Sequence, residues 1–310
     1  MNITIVKNLL ARYGLAPLKK FGQNFLTDGG TLEKILAASG VGAGDCVLEI
    51  GPGLGALTAG LLARGADVVA VEVDKGLAAV LGVEFHGAVG AGRLRIVEGD
   101  VLKLDLAELL AVFGGRTVKA VANLPYYITT PVIMRLLEAG PGLDSITVMI
   151  QKEVAQRMAA LPGTKAYGSL TLAVQYWAEA RLEMIVPAGA FHPRPEVESA
   201  VITLQMRAAP PVVGDREKLF AVIQAAFATR RKTLVNALHA AGFTARTDMA
   251  ARMTTDTADK PPLTTAKAGL AQALESCGLR ADVRGEALSL AQFSRVAEVV
   301  HVVQGVQDAR

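Results

Sequence analysis

Residues 45–55 read Asp45-Cys46-Val47-Leu48-Glu49-Ile50-Gly51-Pro52-Gly53-Leu54-Gly55. The segment up to Ile50 is a mostly apolar run of strand length, bounded by a turn signal. Three glycines then interrupt it, and an apolar helical pattern continues to Arg64. A strand, a glycine-rich turn and a helix in that order open a βαβ unit. Glycines let the backbone approach a ligand closely, and the helix N-terminus offers free N–H groups.

The same alternation continues downstream. Asp67–Val73 reads as the second strand, Asp74–Val83 as a helix and Arg93–Val97 as the third strand. A helix over Leu106–Phe113, a strand over Thr117–Ala122 and a helix over Ile128–Glu138 follow. Ser145–Ile150 is strand five and Gln151–Ala160 a helix. Gly168–Trp177 has a helical pattern, and Arg181–Val186 with Val197–Met206 alternates as a closing antiparallel pair. Such alternation implies an α/β fold, a mostly parallel sheet with helices on both faces. Upstream, residues 1–19 suggest a short amphipathic helix and a basic link at Lys19 and Lys20. Phe21-Gly22-Gln23-Asn24-Phe25-Leu26 is too polar and Gly-broken for a core element, and Thr31 is expected to cap a helix to Ser39.

Open α/β sheets hold ligands at the carboxyl ends of their strands. Three acids fall there: Glu49 before the glycine turn, Glu72 at the end of strand two and Asp100 just after strand three. Glu72 follows the first glycine by about 20 residues, the separation that brings an acid to a ribose hydroxyl pair. Asp100 could accept a hydrogen bond from an adenine amine. The strand at Thr117–Ala122 leads into Asn123-Leu124-Pro125-Tyr126. Asn123 offers a side-chain carbonyl, Pro125 holds Leu124 extended, and the Pro125 carbonyl can be aimed outward. Tyr126 adds a flat face. Two acceptors beside a stacking ring suit a flat base bearing an exocyclic amine.

The glycine turn also half-fits a dinucleotide fingerprint, so a dehydrogenase competes. Pro52 lacks the N–H a diphosphate would want, and Glu49 would place negative charge beside it. A sulfonium cofactor without phosphate tolerates that acid.

Composition is compatible with either enzyme. A length of 310 residues implies about two domains. Half the residues are hydrophobic, and the net charge of +3 neither demands nor excludes nucleic acid. Cys46 and Cys277 form no disulfide framework and lack metal-ligand spacing, so no metal is expected. Lys7 and Arg12 break the N-terminal apolar stretch, and no membrane-spanning run occurs, so a cytoplasmic protein is expected. Ala208–Gly214 is the best linker, and the patterning after it is helical over Arg216–Ala228, Lys232–Ala240, Ala266–Ser276 and Leu290–Val303. No strand is expected there, and Arg246–Thr265 reads as a loop.

Six stretches carry a resemblance. They are Phe21–Leu26, Glu49–Gly53, Asn123–Tyr126, Gln151-Lys152-Glu153-Val154, Phe191-His192-Pro193-Arg194-Pro195 and Arg230-Arg231-Lys232-Thr233. In this order they resemble the S-adenosylmethionine-dependent ribosomal RNA small-subunit adenine N6-dimethyltransferases of the KsgA type. The resemblance spans about residues 18 to 240, with Tyr127 where many members have Asn. It implies a class I methyltransferase fold: a Rossmann-like, doubly wound, mostly parallel seven-stranded sheet with a small all-α C-terminal domain. The implied division is a basic helical segment at 1–19, a methyltransferase domain at 20–208 and an RNA-contacting domain at 215–310. S-adenosyl-L-methionine would be held by Asn24, Leu26, Gly51, Glu72, Asp100 and Asn123.

The implied reaction methylates N6 of two adjacent adenosines near the 3′ end of 16S rRNA, in the immature small subunit. Asn123 and the Pro125 carbonyl would hold the two N6 hydrogens and aim the lone pair at the methyl group. Tyr126 would stack on one face of the base, with Phe191 as the candidate for the other. Arg230, Arg231 and Lys232, placed at a helix start, would contact RNA, with Lys19, Lys20, Lys152 and Arg157 as further candidates. A monomer is expected. The alternatives are a 23S rRNA adenine methyltransferase of the macrolide-resistance class and an RNA-binding factor that keeps the fold without the activity.

Overall fold

The computed structural model describes residues 1–18, 21–140, 142–245 and 263–302. Lys19, Lys20, Val303 and most of the Arg246–Thr265 loop lie outside them. In chain order the elements begin with α1 (Ile3–Arg12), β1 (Phe25–Leu26), α2 (Gly29–Ala38), β2 (Cys46–Ile50), α3 (Ala56–Ala63) and β3 (Asp67–Glu72). Next come α4 (Lys75–Glu84), α5 (His86–Gly90), β4 (Leu94–Glu98), α6 (Leu106–Ala111), β5 (Val118–Asn123), α7 (Thr129–Leu137), β6 (Leu143–Gln151) and α8 (Lys152–Met158). The series continues with α9 (Ser169–Trp177), β7 (Ala178–Val186), β8 (Phe191–His192), β9 (Ser199–Met206), α10 (Arg216–Ala228) and α11 (Leu234–Ala240). It closes with β10 (Phe243–Ala245), α12 (Leu263–Ser276), α13 (Leu290–Val299) and β11 (Val300–Val302).

Seven strands form one sheet in the order β4-β3-β2-β5-β6-β9-β7. The first five run parallel, and β9 and β7 close the edge antiparallel. Every residue of β2 is buried, as a parallel strand covered on both faces requires. Chain order reverses between β2 and β5, so the turns after these strands diverge and leave a crevice at their carboxyl ends.

The turn after β2 needs its glycines. Gly51, Gly53 and Gly55 all have positive φ, and a Cβ on Gly55 would lie 2.4 Å from the Phe85 ring. One face of the sheet packs on α2 and α3 through Leu36, Val47, Leu61 and Val121. A second cluster joins Val6, Leu9 and Leu10 of α1 to Phe25, Leu54, Leu77 and Val80.

The chain sorts into two compact units, Met1–Ala159 with Trp177–Ala208, and Ala160–Tyr176 with Ala209–Arg310. The second unit is helical. Tyr167 is buried in it against Phe227 and donates to the Leu288 carbonyl at 2.6 Å.

Four local expectations are corrected. Asp28, not Thr31, caps α2, accepting from the Thr31 N–H at 2.7 Å. Phe25 and Leu26 are core residues after all, because β1 pairs with β8 and buries both. The helical second unit contains one short antiparallel ladder among the described residues, β10 with β11. The helix after the basic cluster starts at Leu234 with Thr233 as its cap, so Arg230–Lys232 form the preceding turn.

Candidate active site

A cavity of about 330 Å³ opens at the carboxyl ends of β2, β3 and β5. Asn24, Leu26, Gly51, Glu72, Asp100 and Asn123 all line it, as do Leu124, Pro125, Tyr126 and Phe191. Residues from six separate stretches therefore meet at one site.

Glu72 is buried at the end of β3. Its two oxygens accept the backbone N–H groups of Gly53 and Asp74, each at 3.0 Å. The carboxylate thus braces the glycine turn and still has lone pairs for a ligand hydroxyl. Burial pushes its pKa up, and these N–H donors pull it back. Asp100 binds the Leu102 N–H at 3.0 Å through one oxygen, while Lys103 lies 3.9 Å from the other.

Asn123 ends β5. Its Nδ2 donates to the Asn24 carbonyl at 3.1 Å, which fixes the amide and leaves Oδ1 as an open acceptor. The expectation for Pro125 is overturned. Its carbonyl closes the following turn, accepting from the Ile128 N–H at 3.3 Å and the Thr129 hydroxyl at 3.2 Å. The Leu124 carbonyl, one residue earlier, meets no donor among the described residues. Leu124 itself is anchored by its buried side chain and by its N–H on the Met149 carbonyl at 3.1 Å. In this motif Asn123 Oδ1 and Leu124 O are thus the acceptors that meet no donor among the described residues.

The Tyr126 hydroxyl pairs with Ser199 Oγ at 2.8 Å, which sets the ring plane. Phe191 pairs with Leu26 across the β1–β8 ladder and is 5% exposed. It belongs to the core and also borders the cavity.

Glu49 departs from its expected role. It is absent from the cavity wall and fully buried, with Oε2 accepting from Thr58 Oγ1 at 2.7 Å and Oε1 without a partner among the described residues. Burial pushes its pKa to about 8, so it is mostly neutral at pH 7. The charge argument against a diphosphate falls with it. A better one replaces it: among the described residues the lining holds Glu72 and Asp100 and no lysine or arginine side chain. Such a wall suits a ligand without phosphate.

Sequence reasoning missed Gln23 as a connector and Tyr127 as a wall. Tyr127 is 58% exposed, and a Cβ on Gly22 would touch its ring at 3.5 Å. Burial raises the Tyr127 pKa, as do Asp100 and Glu72. Its place directly after the Asn-Leu-Pro-Tyr motif was the available signal.

In the second unit, Arg230 is bound to Glu286 at 3.0 Å and to the Thr164 carbonyl. Arg231 and Lys232 are exposed. In the first unit Lys152 is paired with Glu198 at 2.8 Å. Among the described residues there is no acid, His or Cys cluster that could hold a metal, and no helix long and apolar enough to cross a membrane.

The family model for ribosomal RNA adenine dimethylase matches residues 17–267. The chain belongs to this family. It is 43% identical over 294 residues to "Ribosomal RNA small subunit methyltransferase A" of Lachnoclostridium phytofermentans, covering 94% of each chain. A relative of the same name from Geobacillus thermodenitrificans is 44% identical over 299 residues, covering 95% of this chain and 94% of that one. A dimethyladenosine transferase from Plasmodium falciparum shares the fold, with TM-score 0.70, 23% identity and coverage of 89% of this chain and 99% of that one. The 23S rRNA methyltransferase ErmE aligns with TM-score 0.62 and 25% identity, over 89% of this chain and 98% of its own. As a member of the dimethylase family the chain is a methyltransferase, and its seven-stranded sheet with a helical C-terminal part is the class I methyltransferase fold. The dehydrogenase reading is set aside.

Proposed function

We propose that the protein transfers methyl groups from S-adenosyl-L-methionine to N6 of two adjacent adenosines near the 3′ end of 16S rRNA, acting on the immature small subunit. One observation carries the reading. Asn123 and Leu124, whose Oδ1 and carbonyl oxygen meet no donor among the described residues, line the same cavity as the buried carboxylate Glu72. An amine with two hydrogens and a cofactor with ribose hydroxyls are their natural complements. The printed name of the relatives supports the small-subunit substrate.

S-adenosylmethionine, when bound, supplies an electrophilic methyl group on a sulfonium. Gly51 would admit its methionine part, Glu72 would accept from the ribose hydroxyls and Asp100 from the adenine amine, while Asn24 and Leu26 would close the cavity from the N-terminal side. On the substrate side, Asn123 Oδ1 and Leu124 O would take the two N6 hydrogens and turn the lone pair out of the ring. This is catalysis by positioning and fixed dipoles, and no general base is required, because the nitrogen becomes acidic once methylated. Tyr126 would stack on the extruded base, with Phe191 bordering the opposite side; stacking is worth about 1–3 kcal/mol per base.

Residues 20–208 are assigned to methyl transfer and 215–310 to RNA contact, with Arg231 and Lys232 as the leading phosphate ligands and Arg230 holding the turn. A monomer is the proposed state. The cytoplasm follows from the substrate.

The test is mass spectrometry of rRNA nucleosides after incubation with labelled methyl donor and either immature small or immature large subunits. Dimethyladenosine confined to the small subunit is expected. Labelling of the large subunit alone would favour the ErmE-like reading, and no labelling of either would refute methyl transfer.

A further inference from the structure

Gln23 lies in the segment that borders the cavity from Phe21 to Leu26. Both ends of its amide are engaged. Oε1 accepts from the Leu18 N–H at 2.8 Å, and Nε2 donates to Asp74 Oδ2 at 2.9 Å. Asp74 is no bystander. Its Oδ1 caps α4 through Gly76 at 2.9 Å and Leu77 at 3.3 Å. Its backbone N–H donates to Glu72 Oε1 at 3.0 Å. A continuous chain of bonds thus runs from Leu18 through Gln23 and Asp74 to Glu72.

Two further hydrogen-bonded anchors hold the segment. Asn24 O receives Asn123 Nδ2, and Phe25–Leu26 pair with Phe191–His192. Both lie on the substrate side, against the Asn-Leu-Pro-Tyr turn and β8. Of the three hydrogen-bonded anchors, Gln23 ties the segment to Asp74, 51 residues away in the turn after Glu72, and so adds a polar link to the packing of Phe25 on Leu54 and Leu77.

We infer that Gln23 is a positioning residue for the methyl donor, clamping the segment of Asn24 and Leu26 to the Glu72 turn through Asp74. The inference rests on the cofactor assignment proposed above. Its consequence is a division of effects. Loss of the Gln23 clamp loosens the donor side of the cavity and weakens donor binding. The acceptors Asn123 Oδ1 and Leu124 O stay anchored, so turnover at saturating donor is little changed.

A side-chain swap tests this. Gln23→Glu sets a carboxylate against the Asp74 carboxylate. Asp74→Asn sets an amide N–H₂ against that of Gln23, while the introduced amide remains a good helix cap. In the double variant the new carboxylate at position 23 accepts from both the Leu18 N–H and the new amide at position 74, so every bond is kept and only that between positions 23 and 74 runs the other way. The readouts are S-adenosylhomocysteine binding by calorimetry, and KM for the methyl donor against kcat on immature small subunits. Each single variant should weaken binding and raise KM about tenfold, the scale of one charge-assisted hydrogen bond, with kcat changed less than about threefold. The double variant should return to within about threefold of the unmodified chain, the residue of imperfect geometry.

Unchanged binding in the single variants, a double variant no better than the weaker single, or a loss confined to kcat would each overturn the inference. Gln23→Ala, which removes the clamp without repulsion, serves where a single swap variant fails to fold, and it should show the same loss of binding. Failure of the unmodified chain to bind S-adenosylhomocysteine would sink the cofactor assignment itself. Binding by the unmodified chain with indifferent variants would sink the Gln23 role alone.

Discussion

The proposed site gives Asn123 two jobs with two atoms, and substitution should separate them. Its Oδ1 meets no donor among the described residues, and its Nδ2 holds the Asn24 carbonyl at 3.1 Å. Asn123→Ala removes both. Loss of one preorganised partner of the transition state costs about 10²–10³ in kcat, or roughly 3–4 kcal/mol. Loss of the Asn24 bond costs about 1 kcal/mol, so cofactor affinity should fall only about fivefold. Asn123→Asp keeps an acceptor but turns an oxygen toward the Asn24 carbonyl. It should retain more turnover than the alanine variant and bind cofactor less well. The two variants are therefore expected in opposite orders in the two assays. Single-turnover transfer of labelled methyl to immature small subunits gives the first order, and calorimetry with S-adenosylhomocysteine gives the second. If Asn123→Ala kept kcat within about fivefold, or both assays ranked the variants alike, the division of labour between Oδ1 and Nδ2 would be wrong.

Two further outcomes follow from burial and charge. Glu49 is held neutral, with its pKa raised from 4.5 to about 8, so its contribution to stability is complete at low pH and is lost as pH rises through the folded value. Glu49→Gln mimics the neutral acid; between about pH 5 and 8 the unmodified chain should lose stability relative to this variant by up to roughly 1.4 kcal/mol per pH unit, read by urea unfolding. A constant difference across that range would show that Glu49 is ionised in the folded protein. In the basic turn, Arg231→Glu with Lys232→Glu should weaken RNA binding, flatten its salt dependence and spare cofactor affinity; an unchanged salt slope would remove these residues from the interface. Arg230 is the poorer choice for that test, because reversing its charge would set it against Glu286.

Much of the fold was legible because strands buried on both faces must be continuous apolar runs, and each here ends in a polar or glycine-rich turn. The site was legible to the same depth. Glu72, Asp100 and Asn123 were placed by lying at or just beyond strand ends, and all three line one cavity. The short ladder between Phe243–Ala245 and Val300–Val302 escaped notice because three residues carry too little period-two pattern to stand out from helix flanks.

What the amino-acid order determined unaided is which residue types stand at which strand ends, since local hydrophobic pattern and turn chemistry decide that. What tertiary structure alone decided is which atoms face the cavity. Glu49 turns to Thr58 on α3, the Pro125 carbonyl closes its own turn while that of Leu124 meets no donor among the described residues, and Gln23 finds Asp74 across 51 residues. Each outcome depends on the orientation of a peptide plane or side chain, and that orientation is set by partners packed from elsewhere in the chain.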